Sequence, residues 1–159
     1  MLGAPMIRLI ASILLLLVAQ GVVAAQDGQP NHIEQIDIRL YYHHSGKLSA
    51  PINDRIALWN VIIGEGGAEE PSTSTLLNVV VKGVPGAYKS KLKVYLDVTE
   101  ARSGKPISRQ SKDIGVFSPD GKYHVGFWLP NTGCEPLRVV ARIQGGKQSV
   151  VQVPFKCGE

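Results

Sequence analysis

Few residues of this chain are of types that do chemistry, and their spacing decides which chemistry is open to them. His43 and His44 are adjacent, and His124 stands far along the chain. Imidazoles suit zinc or copper, so a first strand lying beside a late one could give a metal-dependent enzyme its ligands. Adjacent strand residues point to opposite faces, however, so at most one of the pair can join His124. No ligand-spacing motif accompanies them. The expectation is solvated histidines, with no bound metal and no cofactor.

Glu65, Glu69 and Glu70 share the stretch from Gly64 to Ser74. They could bind a cation or act as an acid–base pair in glycoside cleavage. The stretch lacks the ligand order of an EF-hand, and paired carboxylates act only at a separation that the fold must set. A solvated surface loop is the simpler reading, with the three glutamates kept as weak ligand-binding candidates. No Gly-x-Ser-x-Gly elbow and no phosphate-cradling glycine motif is present, so an enzyme is not expected.

Trp128 carries the sharpest functional signal. In Tyr123 to Leu129 the alternation puts Val125, Phe127 and Leu129 on one face and His124, Gly126 and Trp128 on the other. One face of a sandwich strand normally meets water. An exposed tryptophan there can stack on a sugar or anchor a partner protein. The competing expectation is a bulge at Gly126 that reverses the parity and buries the ring. Trp59, in an apolar run, reads as a core residue.

The two cysteines, Cys134 and Cys157, bracket two alternating runs, Leu137 to Gln144 and Gln148 to Phe155, separated by Gly145-Gly146. Both glycines tolerate φ > 0, a strong hairpin signal. A two-residue turn pairs Cys134 directly with Cys157. A three-residue loop ending at Lys147 instead puts Val139 opposite Val153 and keeps the apolar faces together. We prefer the second, because a one-residue slip turns every apolar side chain outward. A kink at Pro136 then returns Cys134 to bonding distance. Two cysteines so placed in an exported chain favour a structural disulfide over a metal or catalytic pair.

Export is read from the start of the chain. Arg8 precedes the apolar run Leu9 to Val18, and small residues ending in Val23-Ala24-Ala25 lead into the polar Gln26-Asp27-Gly28. That is the pattern of a cleaved signal peptide over residues 1–25. Residues 26–32 read as a flexible mature N-terminus and 33–159 as one domain. Removing 25 of the 159 residues leaves 134, enough for a core. No later segment is long and apolar enough to span a bilayer. The formal charge of +4 falls to +3 when Arg8 leaves. The remaining cations are scattered, which with export argues against nucleic acid as a partner. Met1 and Met6 leave as well, so no methionine-rich copper site is possible.

The elements that must position these residues are strands. Ile36, Ile38, Leu40 and Tyr42 alternate with Asp37, Arg39, Tyr41 and His43. Ile56 to Ile63 is apolar on both faces. Thr75 to Lys82 and Lys91 to Thr99 follow, then a polar edge segment reaching Asp113. Ser118-Pro119-Asp120-Gly121 is built for a β-turn. About seven or eight short strands with no helical period indicate an all-β antiparallel sandwich, with a closed barrel as the alternative. In strand spacing the chain resembles immunoglobulin-like and fibronectin-type sandwiches. The cysteine pair that joins the two sheets of antibody domains is missing, because Cys134 and Cys157 bracket adjacent strands.

Together these features point to a periplasmic or secreted, non-catalytic binding or interaction module for a protein or glycan partner. The alternatives are a carbohydrate or small-ligand binder using the face of His124 and Trp128, and a metal-dependent enzyme using the surface histidines.

Overall fold

A computed structural model describes residues 31–52, 58–59 and 68–156, with backbone alone at 58, 59 and 156. The signal-peptide reading of residues 1–25, Glu65, the side chain of Trp59 and Cys157 therefore lie outside the described residues. Within them the chain is all β, and no helix is long and apolar enough to cross a membrane.

Eight strands form two four-stranded antiparallel sheets. The first sheet has the order β2-β1-β4-β7, from β1 (His32–Tyr42), β2 (Lys47–Leu48), β4 (Ser74–Lys82) and β7 (Lys122–Pro130). The second has the order β6-β5-β8-β9, from β5 (Lys93–Glu100), β6 (Pro106–Asp113), β8 (Leu137–Ile143) and β9 (Gln148–Val153). A further pair, β3 (Leu58–Trp59) and β10 (Phe155–Lys156), runs parallel, the one departure from the antiparallel expectation among the described strands. The connections from β4 to β5, β6 to β7 and β7 to β8 each change sheet.

The two inner faces meet in one apolar core. Ile38, Leu40 and Tyr42 of β1, Leu77, Val79 and Val81 of β4, and Val125, Phe127 and Leu129 of β7 pack against Val94, Leu96 and Val98 of β5 and the apolar row of β8. This is the alternation read from the sequence, with each strand giving every second residue to the core. Ile33 is odd-numbered yet packs against the same core. The register between β1 and β4 shifts at Ile33/Gln35, so Glu34 is an extra residue that reverses the parity before it.

The β8–β9 hairpin corrects one expectation. Its three-residue loop is Gln144 to Gly146 rather than Gly145 to Lys147, so Val139 faces Val151 and Leu137 faces Val153. Gly146 N–H donates to Ile143 C=O at 2.9 Å, and Gly145 takes the positive φ of 74° that the turn requires. The expected and observed registers differ by two residues. Both bring the same faces together, and the parity argument cannot separate them.

The turn at Ser118–Gly121 forms as its sequence suggests, with Gly121 N–H donating to Ser118 C=O at 2.8 Å. Gly121 has φ 73°, and a Cβ there would stand 2.5 Å from Gly83 O. At the other flank β6 is an edge strand beside β7. Lys112 Nζ donates to Gly126 O at 2.5 Å, and Gln110 Nε2 donates to Trp128 O at 3.0 Å.

Candidate functional site

Strand β7 pairs with β4 without interruption from Lys122↔Lys82 to Pro130↔Ser74, so there is no bulge at Gly126. Trp128 therefore keeps its outward parity and is 41% exposed, while Phe127 and Leu129 on either side are buried. Its row across the sheet is Arg39, Leu76, Trp128. The next row is Asp37, Asn78, Gly126, and the one beyond is Gln35, Val80, His124.

Tyr41 holds the tryptophan in place. Its ring lies 5.0 Å from that of Trp128 at 69° and 5.2 Å from that of His43 at 90°. Near-perpendicular packing of this kind is the favoured arrangement of aromatic quadrupoles and adds about 0.5–1.5 kcal/mol per aromatic pair. His43 is fixed in turn by a 3.0 Å hydrogen bond with Thr73 Oγ1. Leu48, 42% exposed, pairs with Tyr41 and extends the apolar strip onto β2. The strip Leu48, Tyr41, Trp128 thus crosses the strands instead of following one of them.

Polar side chains of the next two rows border it. Asn78 Nδ2 lies 3.1 Å from His124 Nδ1 and 3.4 Å from Asp37 Oδ2, and Gln35 Nε2 donates to Asp37 Oδ1. With the amide donating, His124 Nδ1 is the acceptor, which puts the imidazole proton on Nε2. Gly126 contributes no side chain between His124 and Trp128, and a Cβ there would meet Leu76 Cδ1 at 3.5 Å. Arg39 Nη1 donates to Ser49 O at 3.1 Å. Further along the sheet Lys122 Nζ pairs with Glu34 Oε2 at 2.9 Å. The Lys122 hydrogen bond holds the Glu34 carboxyl below the usual carboxylate range, and Glu34 raises Lys122 in return.

The histidines do not converge. His124 shares a row with Gln35, and His43 lies beyond the row of Tyr41, which is itself six residues along β1, or roughly 20 Å at about 3.3 Å per residue. No metal bridges that gap, and among the described residues no group of three or more His, Cys, Asp and Glu could hold a metal ion. His44 is exposed in the turn after β1. Glu70 accepts a 3.2 Å hydrogen bond from Ser45 N–H, and Glu69 N–H donates to Tyr42 OH at 3.2 Å. The described end of that loop is thereby tied to the end of β1 and the turn that follows it. Of the weak ligand-binding candidates, Trp128 belongs to the strip, His124 lies across the gap at Gly126, Glu70 is held at the β1–β2 turn, and the Glu69 side chain is exposed.

Reading along the sequence misses Tyr41, Arg39, Leu76 and Asn78, because their proximity to Trp128 depends on β1, β4 and β7 being neighbours. No family model matches the chain, nor does any curated protein.

Proposed function

We propose that this protein is an exported, non-catalytic β-sandwich that binds a partner through the outer face of the β2-β1-β4-β7 sheet, with Trp128 as its anchor. One observation carries the reading: an indole 41% exposed in mid-strand is braced by Tyr41 at 5.0 Å. Large aromatic rings held rigid at a surface lose little entropy on binding, and tryptophan is enriched among residues that dominate interface energies.

The finer architecture belongs to the same proposal. Pairing β1, β4 and β7 against β6, β5, β8 and β9, with three sheet-changing connections, supports an immunoglobulin-like or fibronectin-type sandwich. A signal peptide over residues 1–25 and a periplasmic or secreted location rest on the charged, apolar and small-residue pattern there. A disulfide between Cys134 and Cys157 is supported by Cys134 not being a free cysteine and by the β8–β9 register, whose extension brings Cys134 level with residue 156.

The test is capture from an extract of exported proteins and glycans on immobilised protein. Wild type is expected to retain a partner that Trp128→Ala does not, with both folded by circular dichroism. Equal retention by the two rejects this face as the binding surface.

A further inference from the structure

Lysines that the sequence spreads along the chain are gathered by the fold at one end of the sandwich. Pairing puts His32, Lys82 and Lys122 in one row at the end of the first sheet, and Lys93 beside Asp113 at the end of the second. The two ends coincide, since a Cβ on Gly146 of the β8–β9 hairpin would stand 3.5 Å from Asn31 O, just ahead of β1. The loops 83–92 and 114–121 close the same end, with Gly83 N–H donating to Gly121 C=O at 2.9 Å and Ile114 N–H to Leu92 C=O at 2.8 Å. Among the described residues six lysines stand there, Lys82, Lys89, Lys91, Lys93, Lys122 and Lys147, against the carboxylates of Glu34, Asp113 and Asp120. At the opposite end Lys47, Arg102 and Lys105 are outnumbered by Glu69, Glu70, Glu100 and Glu135.

The basic end also carries the two most exposed large hydrophobic side chains among the described residues, Tyr88 at 65% and Val116 at 59%. They are antiparallel bridge partners, so their side chains project on the same side. The loops that bear them are pinned together: Gly86 N–H donates to Phe117 C=O at 3.2 Å, Phe117 N–H donates to Ala87 C=O at 3.0 Å, and the Phe117 side chain is buried. We propose that this end docks on an anionic phospholipid bilayer, with Tyr88 and Val116 entering the interface and the lysines lying over lipid phosphates.

Charge sets the sign of the surface. Lys93 is paired with Asp113 and Lys122 with Glu34, but Lys89, Lys91 and Lys147 form no ion pair among the described residues. Lys82 Nζ donates to a backbone carbonyl, that of Asp120. A lysine is a point charge on a flexible stem, which suits lipid phosphates whose positions are not fixed. The apolar pair decides for a bilayer over a soluble polyanion. A polyanion offers nothing to exposed Tyr88 and Val116, whereas a bilayer interface takes a valine into its acyl boundary and keeps a tyrosine hydroxyl among its headgroups. Docking here is independent of the face proposed above: Trp128 stands six residues along β7 from Lys122, roughly 20 Å at about 3.3 Å per residue.

The test is co-sedimentation of the purified protein with vesicles of phosphatidylglycerol and phosphatidylcholine in equal parts, and with vesicles of phosphatidylcholine alone. The mixed vesicles are expected to bind and the neutral ones to bind far less, and added salt should weaken the difference. Changing Lys89, Lys91 and Lys147 together to glutamine should cost roughly a hundredfold in affinity, at about fivefold per lysine. Tyr88→Ser keeps the charge and should cost roughly tenfold. All four side chains are exposed, so urea unfolding should find these variants as stable as wild type. Trp128→Ala should bind the mixed vesicles as wild type does. Failure to bind them, or equal binding to both kinds, overturns the proposal. So does binding that is lost in Trp128→Ala but kept in the lysine variant, which would move the contact to the other face. If Tyr88→Ser binds the mixed vesicles as well as wild type and the protein binds heparin equally tightly, the basic end is a polyanion site and the bilayer is rejected as its occupant.

Discussion

On the outer face of the β6-β5-β8-β9 sheet, the ring of Tyr95 lies under the Arg142 guanidinium at 5.2 Å. Asp97 sits between Arg109 at 2.5 Å and Arg142 at 3.5 Å, and Lys93 pairs with Asp113 at 3.0 Å. On the outer face of the β2-β1-β4-β7 sheet the rings of Trp128 and Tyr41 brace one another, and among the described residues no cation lies over them. Arg39 makes no salt bridge among the described residues. Both faces come from the same alternation of apolar and polar residues. They differ in whether aromatic surface and charge are consumed within the protein or left for something else. Exposure alone is a poor guide to a rigid anchor, since Tyr88 and Val116 are more exposed than Trp128, yet among the described residues no ring packs on Tyr88 as Tyr41 does on Trp128.

The comparison can be broken most sharply on β7 itself, where inward and outward residues are neighbours. Phe127 is fully buried, so Phe127→Ala is expected to cost about 3–5 kcal/mol of stability by urea unfolding. Trp128→Ala forfeits its packing on Tyr41 and half-covered area, so its stability cost should stay below about 1.5 kcal/mol. Its loss should appear in partner binding instead, on the order of 2 kcal/mol by calorimetry. A stability loss for Trp128→Ala as large as that for Phe127→Ala would assign the indole to the core and remove the distinction between the faces.

On the opposite sheet Asp97→Asn should cost at most about 1 kcal/mol, as exposed ion pairs do, and leave binding unchanged. A binding defect there would mean that the ion-paired face takes part in recognition.

The smallest expected effect concerns pH. The Glu34 carboxyl is held below its ordinary range first by the Lys122 hydrogen bond, so its contribution is complete above the range where an unfolded glutamate ionises. It is lost as the pH falls through the lower folded value. Lys122 is raised, chiefly by the same bond, so its contribution persists below the ordinary lysine range and disappears as the pH rises through the higher folded value. Glu34→Gln should therefore flatten a shallow acid limb in a plot of stability against pH. An acid limb identical to wild type would show that the pair contributes nothing.

Strand positions and inward faces were legible in the sequence because burial on one side of a strand leaves a period of two. The outward reading of Trp128 followed from the same parity, and no bulge at Gly126 undid it. The extra residue at Glu34 was not legible, since a bulge reverses the parity without any fixed residue type. The hairpin loop was displaced because two glycines in succession permit more than one centre for the turn. Most of the candidate site was invisible for a different reason. Arg39, Leu76 and Trp128 form a row only after β1, β4 and β7 choose one another, and that choice depends on long-range packing.

The parallel pair β3–β10 has a kinetic consequence. It joins Leu58 to Phe155, so a strand from the first half of the chain has its partner near residue 155. Closing so long a loop is entropically costly, and contacts of this kind slow folding. A chain made from its N-terminus can assemble β1, β4 and β7 while Leu58 and Trp59 still await their partner. Refolding followed at Trp59 should then lag behind refolding followed at Trp128, in single-tryptophan variants carrying one or the other.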